Sequence, residues 1–537
     1  MSHCFGAVMA LSSHGFGEYW GGKAKPMSFA QVHSCTVWGL KAPAVTVEVH
    51  LANGLPQFAL VGLADTEVRE ARERVRSAIL NSGLVFPSNK RIIVNLAPAD
   101  LPKDSGRFDL PIAIGILAAS EQIDGQALQH YVFAGELSLS GELRPVRAAL
   151  AMLLAGRQHL PDLAWVLPAQ SAEEAAVLQD ARVYQASHLR DVVEALAPAG
   201  SAPLQLQAAG WCKQHGLASP TEAASAQGPD LQDVRGQAGP KRALEIAAAG
   251  GHSLLMRGPP GSGKSMLAQR MLGLLPAMAP HEALESAAVL SLAGQFQPAM
   301  WGKRPYRQPH HSATMAALVG GGAPPRPGEI SLAHHGLLFL DELPEFPKMA
   351  LEALREPLEN GRISLSRAKH QAEFPAQFQW IAAMNPCPCG YFGASQATCG
   401  CAPDQITRYR ARLSGPLLDR IDMQVQVAAL SPQELMHAPS GESSAVVQAR
   451  CQQARERALD RRGVSNHRLS AAQLQALCID DNAQRYVQQQ ASQYAWSART
   501  IHRVLRLAQT IADLAQSDQI GLSHAMQAAF FKMPTQA

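Results

Sequence analysis

Apolar and polar positions alternate with a period of two soon after the start of the chain and then switch to the helical period. CTVWGLKAPAVTVEVHLANGLPQFALVGL interleaves β-branched and polar residues around Asn53-Gly54, which predicts strands joined in a hairpin. ADTEVREARERVRSAILNSG has helical spacing and a glycine stop. KRIIVNLAPADL predicts a strand, DLPIAIGILAAS a buried helix and YVFAGELSLSGELRPV a second hairpin. Together they predict a mixed α/β domain over 27–197. The stretch 198–229 is rich in Ala, Ser, Pro, Gly and Gln without a period, as in a linker. From 230 to 430 the order is helix (KRALEIAAAG), strand (HSLLMRG), helix (KSMLAQRMLGLL), strand (GLLFLDE) and strand (QWIAAMN). That is the rhythm of a parallel sheet with crossover helices, an α/β fold. Residues 431–537 are Gln- and Ala-rich with helical spacing, and Ile501, Leu505, Ala508 and Ala512 share one face. They predict an all-helical lid.

Composition adds limits. At 537 residues the chain exceeds one ordinary core and suggests roughly three domains. No apolar run approaches the roughly 20 residues that span a bilayer. A net charge of +3 is too small to indicate nucleic acid by itself, so any DNA-binding surface must come from local clustering. Four of the nine cysteines (Cys387, Cys389, Cys399 and Cys401) fall within 15 residues, which suits a reducing, cytoplasmic setting with one local site. Residues 1–26 lack both a charged n-region and an apolar h-region. They read as a disordered extension or a misplaced start, with Met27 the expected initiator.

Gly258-Pro259-Pro260-Gly261-Ser262-Gly263-Lys264-Ser265 matches the phosphate-loop pattern, with a strand before it and a helix after it. Its glycines let successive N–H groups face the phosphates, at a helix N-terminus that adds positive potential. Lys264 then reaches the β- and γ-phosphates of ATP, and the Ser265 hydroxyl takes a place on Mg²⁺. In GLLFLDE a buried strand delivers Asp341 to the metal shell and Glu342 to the attacking water. Asn385 ends the next strand. In this order after two acids, its amide reads as a γ-phosphate or water sensor, although an Asn before Pro is also an ordinary turn residue.

The runs RPYRQPHHSATMAALVGGG, PGEISLAHHGLLFLDELPEF, LREPLENGRISLSRA, NPCPCGYFG and SGPLLDRID closely resemble the Mg-chelatase-like AAA+ family of ComM and YifB, over about 27–531. Members are similar to magnesium chelatase and to replicative helicases of the minichromosome maintenance type. The resemblance implies an AAA+ P-loop domain, ATP hydrolysis with Mg²⁺, a homo-hexamer, and branch migration of branched DNA during natural transformation. It matches Arg420 in LLDRID to an arginine finger serving a neighbouring subunit, and Arg499 in SART to a second sensor on the lid. It implies that ISLSRAKHQAEFP is a pore hairpin carrying Arg367 and Lys369 to the DNA backbone, for sequence-independent, salt-dependent binding of branched or single-stranded DNA.

The first domain resembles the protease domain of Lon without its chemistry. PKDSGRFD places Arg107 where Lon has serine, Ser105 aligns with a glycine, and Leu150 aligns with the partner lysine. A Ser–Lys dyad needs both members in contact, so a working protease is not expected. The cysteines, spaced Cys-x-Cys, nine residues, Cys-x-Cys, read either as a tetrahedral Zn²⁺ site or as buried and free thiols, the one-residue gaps being tighter than usual. The expected activity is ATP-dependent DNA translocation. The alternative is a chelatase-type motor that remodels a protein partner or inserts a metal.

Overall fold

The computed structural model describes residues 28–532 except 63–65, 102, 104–105, 198–210, 215–227, 323–324, 368–369, 395–397 and 438. The expectations about residues 1–26 and Met27 therefore lie outside the described residues, as do Ser105 and Lys369.

The N-terminal part is an eight-stranded sheet. Its order is Cys212–Lys213, Val183–Ala186, Ala164–Pro168, Tyr131–Phe133, Phe29–Cys35, Ala44–Ala52, Arg91–Ala97, Gln57–Val61. The hairpin expected around Asn53-Gly54 does not form. Arg91–Ala97 lies between the flanking strands, antiparallel to Ala44–Ala52 and parallel to Gln57–Val61. Helix Thr66–Asn81 follows Gln57–Val61, so strand, helix and Arg91–Ala97 form a crossover that only parallel pairing satisfies. The helix covers the sheet with Ala71, Val75, Ala78 and Ile79, all buried. The actual hairpin is Phe29–Cys35 with Ala44–Ala52.

Helix Asp109–Ala119 is buried along its whole length, and burial of each Ile or Leu in it contributes ~1.5–3 kcal/mol. Gly115 lets it lie close to the sheet, since a Cβ there would stand 2.5 Å from Val49 Cγ2. Its buried Asp109 is held by Arg74 (Nε to Oδ2 2.7 Å) and by the Leu137 N–H (3.2 Å). In YVFAGELSLSGELRPV only Glu136–Leu137 and Leu143–Arg144 pair as a hairpin, while Tyr131–Phe133 joins the main sheet. At the positions compared with the Lon dyad, Arg107 is buried against Met152 Sδ (3.6 Å) and Leu150 is fully buried. Within the stretch expected to be linker, Cys212–Lys213 pairs with Val183–Ala186, and Trp211 stacks on Tyr184 at 5.2 Å. An apolar ring beside an open sheet edge accounts for this strand in a composition that otherwise resists order.

The second sheet is wholly parallel, ordered Tyr306–Arg307, Leu337–Leu340, Gln379–Met384, Leu254–Arg257, Met423–Gln426. Leu337–Leu340 and Gln379–Met384 are buried at every position, as strands covered on both faces must be. The first domain packs on this core through Ala149–Gly156 against Pro280–Leu292, within one apolar cluster. The Ser291 hydroxyl seals the joint: it accepts the Ala151 N–H (3.3 Å) and donates to Glu174.

Residues beyond 431 are helical, with Ser444–Arg462, Asp481–Gln493, Ala498–Leu514 and Leu522–Phe530 the longer helices. On Ala498–Leu514 the buried apolar face centres on Val504, Leu507, Ala508, Ile511 and Ala512. Ile501 and Leu505, expected on the same face as Ala508 and Ala512, lie at its margin. Among the described residues no helix is long and apolar enough to cross a membrane.

Candidate functional site

Strand Leu254–Arg257 runs into the phosphate loop, and helix Lys264–Arg270 leaves it. Gly261 (φ +74°) and Gly263 (φ +91°) take the left-handed backbone that curls the loop. Gly258 passes so close to Val427 that a Cβ would stand 2.2 Å from its carbonyl oxygen. The neighbouring strand supplies the rest of the frame: Gly258 N–H donates to Met384 O (3.2 Å), the residue before Asn385.

That frame brings five of the expected residues together. Lys264 Nζ donates to the carbonyls of Gly258 and Pro259 (both 2.9 Å) and to Asn385 Oδ1 (3.1 Å). Burial pushes its ammonium below the ordinary lysine range, while the Asp341 and Glu342 carboxylates oppose the shift. Ser265 Oγ donates to Asp341 Oδ2 at 2.6 Å. Glu342 follows in a left-handed conformation (φ 51°), its N–H bonded to Asp341 Oδ1 (2.9 Å). Strain of this kind in a non-glycine residue persists where surrounding structure imposes it.

Three residues at this site, His310, His311 and Gln237, have no role in the sequence reading. His311 Nδ1 lies 3.1 Å from Glu342 Oε2, and its ring packs on His310 at 4.0 Å between centroids. Both histidines stand in RQPHH, whose local pattern does not set His311 against a residue 31 positions away in sequence. The Ser262 hydroxyl is buried in the loop with no hydrogen-bond partner among the described residues. Gln237 Nε2 reaches Ser262 O (3.5 Å) and Ala428 O (2.7 Å). It also lines a cavity of about 900 Å³, with Lys241, Arg242, Leu430 and His437.

Arg420 and Arg499 lie apart from the phosphate loop and meet each other instead. The Arg420 side chain is only 8% exposed, donating to Pro416 O (2.7 Å) and to Glu359 Oε1. Arg499, 71% exposed, lies 3.6 Å from the same Glu359 oxygen. Glu359 belongs to helix Arg355–Asn360, which leads into the next hairpin. That hairpin pairs Arg362–Arg367 with His370–Pro375, with Arg367 opposite His370 at its end. Ile363 roots it in the core, and Phe374 is fully buried as well. Lys369 and the Arg367 side chain lie outside the described residues, so their contacts with DNA stay an expectation.

The four clustered cysteines do converge. Cys387 Sγ lies 3.3 Å from Cys389 Sγ and 3.7 Å from Cys399 Sγ, with Cys389 and Cys399 3.5 Å apart. Cys401 joins them, all four sulfurs lying within 4.8 Å of one another. The Tyr391 backbone N–H, together with the Cys387 thiol, holds Cys389 down to about 6.

Comparison with known proteins agrees with these features. A family model described as magnesium chelatase, subunit ChlI, matches residues 230–435. Models described as subunit ChlI of Mg-chelatase and as magnesium chelatase, subunit ChlI C-terminal, match 47–171 and 441–532. The chain is 46% identical over 514 residues to the uncharacterized protein YifB of Salmonella typhimurium, covering 94% of this chain and 97% of that protein. It is 46% identical over 510 residues to the competence protein ComM of Haemophilus influenzae (94% and 98%). YifB of Escherichia coli is 45% identical over 514 residues (94% and 97%). With three consecutive chelatase models and near end-to-end similarity to these proteins, the chain belongs to the magnesium-chelatase-like AAA+ family of ComM and YifB.

Proposed function

We propose that this chain is the subunit of an ATP-hydrolysing hexamer that translocates on DNA and drives branch migration, as in the integration of incoming DNA during natural transformation. The observation that carries the reading is the joining of Lys264 to Asn385 and of Ser265 to Asp341 at one loop, on a core that also projects the hairpin 362–375. The Haemophilus relative is a competence protein, and that supports DNA as the partner.

The residues present fit ATP and Mg²⁺. The unpartnered Ser262 hydroxyl and the loop N–H groups suit phosphate oxygens, and the adjoining Ser265 hydroxyl and Asp341 carboxylate are the hard oxygen donors that magnesium takes. Bound magnesium would draw negative charge from the phosphates. Lys264 exchanges its carbonyl partners for phosphate oxygens, and Asn385 orients the γ-phosphate or the lytic water. Glu342 accepts the water's proton once His311 releases its carboxylate. The cavity lined by Gln237 and Leu430 takes the base. Arg420 and Arg499, gathered at Glu359, serve one face together and reach a neighbour's nucleotide from it.

The test is ATP-dependent strand displacement on three- and four-way DNA junctions, with Lys264→Ala as the inactive control. Turnover indifferent to DNA but dependent on a second protein would favour a chelatase-type remodelling motor, the reading that the family models' description favours.

A further inference from the structure

We infer that Cys387, Cys389, Cys399 and Cys401 hold one structural zinc ion, and that this ion acts as a clamp on Asn385 and the phosphate loop. The metal site stands on the sulfur geometry alone. The clamp rests on the hydrolytic reading above.

Four thiolates at ~2.3 Å from zinc, at the corners of a tetrahedron, lie about 3.8 Å from one another. The three measured separations, 3.3, 3.5 and 3.7 Å, approach that figure, and Cys401 lies within the same sphere. Sulfurs this close cannot surround an iron–sulfur cluster, whose inorganic atoms hold the cysteine ligands apart. They fit around one ion. The Phe392 N–H points at Cys387 Sγ (3.4 Å), the kind of bond that stabilises a thiolate ligand. Gly390, at φ +87°, closes the turn that holds Cys387 and Cys389 together, its N–H donating to Cys387 O (3.0 Å). Among the described residues of 386–402 only Cys387 and Gly390 are buried, so the segment has no apolar core of its own to order it. Metal–ligand bonds supply that order where burial does not.

Among the described residues one other group of metal-type side chains is close, Glu285 with His334 and His335, and hydrogen bonds already satisfy it. The Gln377 N–H donates to His334 Nδ1 (3.0 Å). The neutral ring therefore carries its proton on Nε2, which donates to Glu285 (3.2 Å) and is unavailable to a metal.

The clamp follows from what the cysteine segment touches. Cys387 is two residues beyond Asn385, whose amide accepts from Lys264. Gly390 lies against the phosphate loop: a Cβ on it would stand 2.5 Å from Pro260 Cδ and 3.8 Å from Asn385 Cγ. Beyond Cys401, helix Pro403–Arg410 returns, with Arg410 Nε donating to Pro386 O (3.4 Å) and its guanidinium 5.3 Å over the Phe392 ring. The ion thus ties together the two ends of a segment that leaves the sensor strand at Asn385 and comes back to it at Pro386. It stands outside the nucleotide site and positions a residue within it.

The experiment uses full-length protein purified without a histidine tag. Elemental analysis should give one zinc per chain, released as a mercurial titrates four thiols. Protein produced with cobalt should show the d–d and thiolate-to-metal absorption of a tetrahedral tetrathiolate site. Zinc far below one per chain, iron in its place, or zinc undiminished in Cys399→Ser would overturn the metal site, whether or not the protein hydrolyses ATP. For the clamp, Asn385→Ala should lower kcat about 10–100-fold, the worth of one hydrogen bond to a charged group. Cys399→Ser should lower kcat comparably with little change in KM, and should cost nothing further when added to Asn385→Ala. Independent, multiplying losses in the double variant would refute the clamp while leaving the zinc in place. If Cys399→Ser fails to fold, the same comparison is made by stripping zinc with mercurial and chelator from wild type and from Asn385→Ala.

Discussion

Removing the Arg420 guanidinium tests whether hydrolysis is shared between subunits. In the single chain this side chain is 8% exposed and is held by Pro416 O and Glu359. A guanidinium placed on a γ-phosphate lowers the hydrolytic barrier by roughly 10³–10⁵ in rate, or about 4–7 kcal/mol. Leaving Glu359 costs about 1.5 kcal/mol, the lower end for a charge-assisted bond, because the Glu359 side chain is 44% exposed. The net expectation is a loss of about 10²–10⁴-fold in kcat for Arg420→Ala, with ATP binding retained. Glu359→Gln, which frees the arginine, should raise turnover by no more than about 10-fold. The assay mixes Arg420→Ala with Lys264→Ala protein and follows phosphate release. Neither variant turns over alone, but in a random 1:1 ring about a quarter of the head-to-tail interfaces set an intact Lys264 against an intact Arg420. Partial activity should return in proportion. If mixed rings form and no activity returns at any ratio, or if dilute monomer hydrolyses ATP at the full rate, the trans assignment is wrong.

Arg367→Ala combined with Lys369→Ala should weaken binding to all DNA sequences alike and flatten the dependence of log K on log salt, leaving basal hydrolysis intact; an unchanged salt slope refutes the hairpin assignment. Gly390→Ala should lower the thermal midpoint and weaken Mg-ADP binding about 5-fold or more, because its Cβ strikes Pro260 at 2.5 Å; Gly393→Ala, with positive φ but open space, is the control for backbone strain alone. His467 is half-buried, and desolvation there, with the positive charge of Arg468, holds it down to about 3 while its Nδ1–H donates to Gly250 O. Its folded pKa lies below the unfolded value near 6.5, so the chain loses stability as pH falls from about 6.5 toward 3, by about 1.4 kcal/mol per unit. His467→Asn keeps a donor and removes the titration, so between pH 7 and 5 it should lose about 2 kcal/mol less than wild type in urea unfolding; parallel curves would show that His467 does not titrate as argued.

The elements around the nucleotide site were legible in the sequence because each is set by nearby residues. The loop needs glycines at 261 and 263 for its positive φ, and both flanking elements follow in order. LLFL and QWIAAM are apolar enough to be strands wherever they end up. The wholly buried helix Asp109–Ala119 is legible for the same reason: an unbroken apolar run has only the interior to occupy. Pairing between distant elements was not legible. Asn53-Gly54 is a good hairpin turn, yet Arg91–Ala97 takes the place beside Ala44–Ala52, because helix Thr66–Asn81 must cross over and cover the sheet. The buried face of Ala498–Leu514 is rotated from the one its spacing suggested, since Gln509, Thr510 and Asp513 are buried with it, Asp513 against Arg461 and Asn466. Nothing local places His311 at Glu342, Arg499 beside Arg420 at one carboxylate, or Gly390 against Pro260. Local propensity depends on residues a turn apart, whereas these contacts join residues tens of positions distant, and only the closing of the sheet and its helices brings them within a hydrogen bond's reach.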